Sequence, residues 1–201
     1  MNEWVDKDMG GLAATLDFDA ELMLRVKDGD GASFAILLEK HRLPVVHFLY
    51  RMVQNQAVAE ELAQEVFLRV YRSRGSYEPT AKFTTWLFRI ATHLALNSLR
   101  DGKNQRLEEH LDDDSPETPA RQLSDQRPSV EQRMLHQARM EEIRRAVATL
   151  PEKQRAAVLM HKYEEMEYSQ IAKVLNCSES AIKSLLFRAY ETLRARLAHM
   201  A

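Results

Sequence analysis

The sequence is poor in the residues that mark several common protein classes. Its 201 residues include one cysteine, six glycines and six prolines, which excludes a disulfide framework and collagen-like or proline-rich scaffolds. No run of about eighteen apolar residues occurs, so we expect no membrane span. The first residues lack the basic and apolar regions of a secretory signal. The single thiol, Cys177, fits a reducing compartment and favours the cytoplasm.

Motifs for catalysis and metal binding are also missing. The sequence has no phosphate-binding loop and no dinucleotide fingerprint. Its seven histidines form neither an HExxH motif nor a compact cluster with cysteine, so we expect no metal site and no cofactor. We interpret Cys177 as a small packed residue rather than a nucleophile. We therefore expect a protein that is not an enzyme.

What the sequence does have is charge in alternating blocks. Residues 1–39 carry a net charge of −6, residues 40–107 of +6, residues 108–133 of −5 and residues 134–201 of +3. Two positive blocks separated by a negative one indicate two modules that each meet a polyanion. The alternative is a solvated surface whose charge pattern carries no function.

The hydrophobic periodicity is helical along most of the chain, and the alternation typical of strands does not persist anywhere. It predicts four helices in each half; Pro44 should bend the second helix, and Gly102 can end the fourth. The stretch between the halves is acidic, contains three prolines and has no amphipathic stripe, as in an extended linker. The predicted fold is all-α, with a flexible N-terminal tail at 1–16, a helical domain at 17–105, an acidic linker at 106–128 and a second helical domain at 129–201.

The last two predicted helices have the dimensions of a helix-turn-helix. They run from about Tyr168 to Leu175 and from Ser178 to about Ala198, and Asn176 is the expected turn residue, because Asn tolerates the left-handed conformation. The apolar stripe of the second helix would face the core, which leaves polar residues outward near its start. Such residues can meet base edges and phosphates in a DNA major groove; a helical hairpin with a solvated polar face is the alternative. The predicted DNA-facing residues are Glu179, Ser180, Lys183, Ser184, Phe187 and Arg188.

Two blocks of the sequence resemble regions of bacterial sigma factors. The block that resembles sigma region 4 comprises LPEKQR at 150–155, YSQIA at 168–172 and CSESAIKSLLFRA at 177–189. The block that resembles sigma region 2 comprises AEELAQEVFLRVY at 59–71 and FTTWLFRIA at 83–91. Because both blocks occur in the family's order, the chain is identified over residues 17–197 as a member of the extracytoplasmic-function (ECF) sigma factors, group IV of the sigma-70 family.

The resemblance implies a set of partners. In the family, the helix matching residues 59–71 docks on the β′ clamp helices of core RNA polymerase, and the β flap is a second polymerase contact. Promoter DNA and a cognate anti-sigma factor that masks these surfaces are the other partners, and the free protein is expected to be a monomer. A mostly acidic face suits charge-complementary docking, although a solvated helix face is the alternative. The residues assigned to polymerase binding are Glu60, Glu61, Gln64, Glu65 and Arg69.

Residues 69–106 combine eight basic and two acidic residues with interleaved aromatics. Basic groups hold the phosphates of a single strand, while aromatic faces stack on unpaired bases. In the family this segment recognises and melts the minus-10 promoter element, and the loop matching residues 75–82 captures flipped bases. Tyr77 and Phe83 are preferred as DNA contacts over Trp86, which can equally be a core residue. The residues expected to meet the minus-10 strand are Tyr77, Lys82, Phe83, Trp86, Arg89, His93 and Asn97.

The expected function is that of a sigma factor, with the final helix reading the minus-35 element. A conventional helix-turn-helix regulator, which binds duplex DNA without being a polymerase subunit, is the alternative. The basic, aromatic segment argues against it, because such a regulator needs no single-strand surface. A helical adaptor acting only through protein contacts is a third possibility, and it predicts no salt-dependent promoter binding. The acidic linker would run towards the RNA exit path in the family, either as a mimic of RNA charge or as a solvating tether.

Overall fold

The computed structural model describes residues 17–108 and 130–200, and within these ranges all regular structure is helical. The first module contains the helices α1 (Phe18–Lys27), α2 (Gly31–Val53), α3 (Gln56–Arg72) and α4 (Phe83–Glu108). The second module contains the helices α5 (Val130–Ala148), α6 (Glu152–Tyr163), α7 (Tyr168–Leu175) and α8 (Glu179–Arg196). Short 3-10 turns follow at Arg74–Ser76 and Ala198–Met200. The all-α prediction is confirmed.

Several helices begin and end at the polar residues that the sequence places there. The side chain of Asn55 accepts a hydrogen bond from the N–H of Val58 at 3.1 Å, and that of Ser178 accepts one from Ala181 at 3.2 Å. Each bond satisfies one of the backbone donors that a helix leaves unpaired in its first turn. Asn176 ends α7 at φ 50° and ψ 57°, which confirms it as a left-handed turn residue.

Helix α4 is longer than predicted. The expectation that Gly102 ends it is wrong, since α4 continues to Glu108. A glycine inside a helix costs only about 1 kcal/mol relative to alanine, and most of the residues that follow it are good helix formers. Residues 106–108 are therefore helical, whereas the rest of the expected linker and the N-terminal tail lie outside the described residues. Pro44 lies inside α2, which is helical on both sides of it.

The first module is built around α2 and α4, which pack against each other and against α3. The rings of Phe48 on α2 and Phe88 on α4 meet edge to face with their centroids 5.2 Å apart. Burial of large apolar side chains such as these stabilises the fold by about 1.5–3 kcal/mol each. Helix α1 is fixed to α2 by Asp19, whose carboxylate lies 2.7 Å from Lys40 Nζ and 2.9 Å from His41 Nε2.

The two modules are packed against each other. Helix α4 lies against α7, and α2 lies against α6 and α5. The buried apolar side chains of both modules form one continuous cluster. The sequence pattern predicts the two modules but not this contact, because hydrophobic periodicity identifies a buried face without identifying what buries it.

Candidate nucleic-acid and polymerase interfaces

Helix α8 presents the predicted DNA-facing residues on one exposed surface. Its opposite stripe is buried against α6 and α7 through Ile182, Leu186 and Ala189. The exposed residues, called here the α8 face, are Glu179, Ser180, Lys183, Ser184, Phe187 and Arg188. This separation follows from the helical period, because a stripe at i, i+4 and i+7 turns the intervening residues outward.

Phe187 is the feature of the α8 face that a purely solvated helix does not need. Its side chain is 68% exposed, the largest exposed fraction among the big apolar residues of the described ranges. Arg188 lies beside it and folds back along α8, where Nε donates to the carbonyl oxygen of Ser184 at 3.2 Å. An apolar side chain flanked by a cation and hydroxyls can meet a thymine methyl group, a base edge and a phosphate at once.

Cys177 lies in the turn before α8 and is exposed, so the interpretation of it as a packed residue is wrong. The turn needs little from its side chain, because the N–H of Cys177 bonds to the carbonyl oxygen of Ala172 at 3.0 Å. The structure therefore places no packing demand on the thiol.

A second predicted set forms one stripe along α4. Lys82, immediately before the helix, Arg89 and His93 are exposed, while Trp86 and Asn97 are half-buried. Their spacing of three or four residues aligns them along one side of the helix. We call these five residues the α4 stripe. A row of cationic and hydrogen-bonding groups with one aromatic ring matches what a single strand of DNA requires.

Tyr77 and Phe83 do not belong to that exposed stripe. Tyr77 is 3% exposed and Phe83 is fully buried, so neither ring offers a face to a base. The ring centroid of Trp86 lies 4.9 Å from that of Tyr77 and 5.9 Å from that of Phe83. The expectation that Tyr77 and Phe83 contact DNA in preference to Trp86 is therefore wrong in this arrangement, because both rings instead pack beneath Trp86.

The two buried rings are also held by polar contacts of the first module. The N–H of Phe83 donates to Asp17 Oδ2 at 3.0 Å, and Lys27 Nζ donates to the carbonyl oxygen of Tyr77 at 3.1 Å. Burial raises the pKa of Tyr77 to about 12, with Asp17 and Asp19 adding to the shift. The hydroxyl of Tyr77 has no hydrogen-bond partner in the described residues. An aromatic residue at a helix start can be a stacking group or a packing group, and only the fold distinguishes them.

Helix α3 carries the residues assigned to polymerase. Glu60, Glu61 and Gln64 are exposed, and the Nε of Arg69 lies 2.7 Å from Oε1 of Glu65. This ion pair lowers the pKa of the Glu65 carboxyl. The sequence analysis missed Leu68, which is 48% exposed and lies at the centre of the same face. Leu68 could have been identified from the sequence, because it is an apolar residue outside the buried stripe of its helix.

The contact between the modules includes a buried cation. The guanidinium of Arg155 on α6 donates to the carbonyl oxygens of Met52, at the end of α2, and of Ala148 and Leu150. Arg155 is 9% exposed, and its burial lowers its pKa. One side chain thus satisfies backbone acceptors of both modules, which makes it a structural residue of the contact.

Further contacts also join the modules. The guanidinium carbon of Arg51 on α2 lies 4.0 Å from the ring centroid of Tyr163 on α6. Gln170 Nε2 on α7 donates to Thr85 Oγ1 on α4 at 3.4 Å. Thr92 on α4 is buried with its hydroxyl 4.0 Å from the sulfur of Met160. The side of α4 next to the α4 stripe is therefore covered by the second module.

Other kinds of site are not found within residues 17–108 and 130–200. No group of three or more potential metal ligands comes together there. None of the helices in that part of the chain is both long and apolar enough to cross a membrane.

Comparison with known proteins matches both modules to described families. Residues 37–105 match the model of sigma-70 region 2, and residues 140–193 match that of sigma-70 region 4. The chain is 34% identical over 179 residues to the RNA polymerase sigma factor CarQ of Myxococcus xanthus, covering 89% of this chain and 97% of CarQ. It is 29% identical over 174 residues to the ECF RNA polymerase sigma factor SigW of Bacillus subtilis, covering 86% of this chain and 93% of SigW.

Solved structures show the same fold. The structure of CnrH in complex with the cytosolic domain of CnrY matches with a TM-score of 0.67 at 18% identity, covering 91% of this chain and 99% of that one. The sigma factor RpoE of Bartonella quintana, solved with the anti-sigma factor NepR, matches with a TM-score of 0.65 at 18% identity, covering 82% and 96%.

Proposed function

The chain belongs to the extracytoplasmic-function group of the sigma-70 family of RNA polymerase sigma factors, and from this premise we propose how its surfaces divide the steps of transcription initiation. As a sigma factor it binds core RNA polymerase, directs it to promoters and promotes opening of the DNA. We assign the α8 face to the minus-35 element, the α4 stripe to the minus-10 strand and the exposed face of α3 to polymerase. Nucleotide addition then belongs to the polymerase, and this chain carries no chemistry of its own.

The observation that carries the minus-35 assignment is the exposed α8 face above a fully packed inner stripe. Lys183 and Arg188 supply cations for phosphates or guanine, and Ser184 and Phe187 supply a hydroxyl and an apolar surface for base edges. The helix is fixed by its own core, so its geometry does not depend on DNA for support. This is the arrangement by which a recognition helix enters the major groove.

The minus-10 assignment is supported by the α4 stripe. Lys82 and Arg89 can neutralise phosphates of a separated strand, while His93 and Asn97 can hydrogen-bond to bases. Trp86 is the stacking group, and Tyr77 and Phe83 position its ring from beneath. Stacking on one aromatic ring is worth about 1–3 kcal/mol per base, so Trp86 is the residue whose loss should cost most on this helix.

The polymerase assignment gains an apolar centre from Leu68. Glu60, Glu61 and Gln64 lie on the same exposed face, about one to two turns before it, and binding hot spots have such polar neighbours at their rim. We propose that Leu68 anchors α3 on the clamp helices while the carboxylates steer the approach. Leu68→Ser should weaken binding to core polymerase at least tenfold, whereas Leu43→Ser, at an exposed position of α2, should leave it unchanged.

The two promoter elements cannot be bound at the same time while the modules are packed together. The names of the minus-35 and minus-10 elements place them about 25 base pairs apart, which is about 85 Å of B-DNA at about 3.4 Å per base pair. In the structure α4 packs directly on α7, the helix that precedes α8. The 21 residues at 109–129 can extend across at most about 75 Å, which is long enough to let the modules separate. We propose that binding to core polymerase holds the modules apart.

We propose further that an anti-sigma factor masks these surfaces when transcription is not required, as the likeness to the sigma factor RpoE, solved with the anti-sigma factor NepR, supports. The protein then acts in the cytoplasm together with polymerase, and is a monomer when free of both partners.

Reconstituted transcription tests the function directly. The purified protein is mixed with sigma-free bacterial core polymerase and genomic promoter fragments, and the transcript starts are sequenced. We expect discrete starts that share two upstream motifs and are absent without the protein. Absence of new starts, together with sequence-specific duplex binding by the protein alone, would instead support a conventional helix-turn-helix regulator. The Leu68→Ser and Leu43→Ser variants serve as the matched pair in the same assay.

A further inference from the structure

A cleft of about 720 Å³ lies where the two modules meet. Its walls come from the end of α3, from α4, from α6 and from α7, so it exists only while the modules are packed together. The volume falls within the range of small-molecule sites, which is about 300–1,000 Å³.

The walls of this cleft have charge of one sign only. The lining includes the cations Arg69, Arg89, Lys153 and Lys173 together with His93, and it contains no aspartate or glutamate. Arg69 is paired with Glu65. Within the described residues, Arg89, Lys153 and Lys173 form no ion pair with any carboxylate.

This charge pattern opposes the packing around it. Arg89 of the first module and the two lysines of the second line the same cleft, and like charges repel one another. The modules are nevertheless held together by Arg155 and the shared apolar core. A bound anion would remove the repulsion and bridge the modules, so the closed arrangement and the anion stabilise each other.

We propose that this cleft binds a multiply charged phosphate anion, held between Arg89 and His93 of α4 and Lys153 and Lys173 of the second module. These side chains line one volume from three helices, α4, α6 and α7, which suits a compact ligand of high charge density. An acidic peptide carries at most one carboxylate per about 3.5 Å of extended chain and would need a groove rather than a cleft. Polyphosphate is the chemistry shared by nucleoside polyphosphates and inorganic polyphosphate.

Occupation of the cleft also has a consequence for DNA. Arg89, His93 and Trp86 line the cleft and belong to the α4 stripe, so the anion competes with the minus-10 strand. This part of the inference rests on the proposed role of α4, whereas the binding site itself does not. The bound anion would therefore inhibit strand binding by the free protein, and it would be released when polymerase separates the modules.

Fluorescence provides a direct test, because the chain has two tryptophans and Trp86 lines the cleft. In a Trp4→Phe background, sodium tripolyphosphate is titrated at constant ionic strength, with sodium sulfate as the control salt. We expect a saturable change in emission with tripolyphosphate and none with sulfate. The double variant Lys153→Gln/Lys173→Gln should lose at least tenfold in affinity for tripolyphosphate. The control pair Lys162→Gln/Arg196→Gln, which removes the same charge from exposed positions outside the cleft, should retain it.

Further binding measurements distinguish the possible sources of the ligand and the competing explanations. Binding of adenosine or guanosine triphosphate at least tenfold tighter than tripolyphosphate would identify a nucleotide; equal affinities would identify inorganic polyphosphate. No saturable binding, equal binding by the lysine double variant, or tighter binding of a polyglutamate peptide would overturn the proposal. Affinity for a labelled minus-10 single strand is measured in parallel. We expect tripolyphosphate to lower it in the wild type and not in the double variant. Normal strand binding without tripolyphosphate binding would refute the cleft site alone and leave the proposed function standing.

Discussion

The two surfaces that we propose to bind DNA differ in how exposed they are. The α8 face is exposed along its whole length and is supported by the core of its own module. The α4 stripe is flanked by the second module, its central residues line an interdomain cleft, and its tryptophan is half-buried. In one molecule, therefore, the proposed duplex-binding surface is fully exposed, whereas the proposed single-strand surface is partly covered by the second module. That difference matches the order of events in transcription initiation, because a promoter must be found as duplex DNA before one of its strands can be captured.

The largest expected effect comes from removing the cation that joins the modules. Arg155→Ala leaves three carbonyl acceptors in the contact without their donor, and we expect a loss of about 3 kcal/mol in the free energy of unfolding. Urea denaturation followed by circular dichroism measures it. Arg196→Ala, at an exposed position, should change stability by less than about 0.5 kcal/mol. A loss for Arg155→Ala as small as that of the control would contradict the role of Arg155 in the contact.

The next largest effect concerns the α8 face, which is already exposed. Arg188→Ala should weaken binding to a minus-35 duplex by about 1–3 kcal/mol, because Arg188 lies next to Phe187 on the α8 face. Fluorescence anisotropy with the free protein measures it. Arg89→Ala should leave this affinity unchanged, since it lies on α4. Unchanged binding by Arg188→Ala would refute the assigned role.

A smaller effect is expected from a variant that makes the α4 stripe more accessible and leaves the α8 face unchanged. Tyr163→Leu removes the contact between the Tyr163 ring and the Arg51 guanidinium, which contributes about 0.5–1 kcal/mol at an exposed site. Weaker packing of the modules should raise the affinity of the free protein for a minus-10 single strand by about two- to five-fold, which is that free energy expressed as a ratio. Affinity for the minus-35 duplex should stay the same. An equal rise for both DNAs would show that the variant acts through something other than the module contact.

The smallest effect is a dependence on pH. Burial raises the pKa of Glu164 to about 7 from an ordinary value of 4.5, against the lowering effect of Arg51. The folded protein therefore holds a proton between about pH 5 and pH 7 that the unfolded chain has released, so stability falls as pH rises through this range.

Glu164→Gln should remove that fall, because the amide does not titrate. The measurement is Tm at pH 5 and pH 8, where the difference between the two values should be smaller in the variant. Glu165→Gln, at the exposed neighbouring position, is the matched control. A control that flattens the profile equally would assign the pH dependence to another group.

Much of the fold could be predicted because the start, the end and the buried face of a helix depend on residues that are close together in the sequence. The turn at Asn176, the cap at Ser178 and the face from Glu179 to Arg188 all follow from residues within a few positions of one another. Gly102 misled the prediction because a single glycine weakens a helix without ending it when good helix formers follow. Local patterns therefore located the α8 face almost completely.

The aromatic residues of the first module show where local patterns are insufficient. The sequence favoured Tyr77 and Phe83 over Trp86 as stacking groups, but the burial of these rings depends on α1 and α2, far away in the chain. The contact of Arg155 with Met52 joins residues that are more than a hundred positions apart. No period or motif encodes such a pairing, and the cleft between the modules depends on it.

The continuous apolar core also has a consequence for how the protein is made. The first module leaves the ribosome before the second, so the sides of α2 and α4 that will meet α6 and α7 are exposed to water while the remaining chain is synthesised. At about 5–20 residues per second, the last 72 residues take roughly 4–14 s. During these seconds the nascent chain exposes apolar surface that the finished, closed molecule buries, which makes newly made protein a better ligand for chaperones.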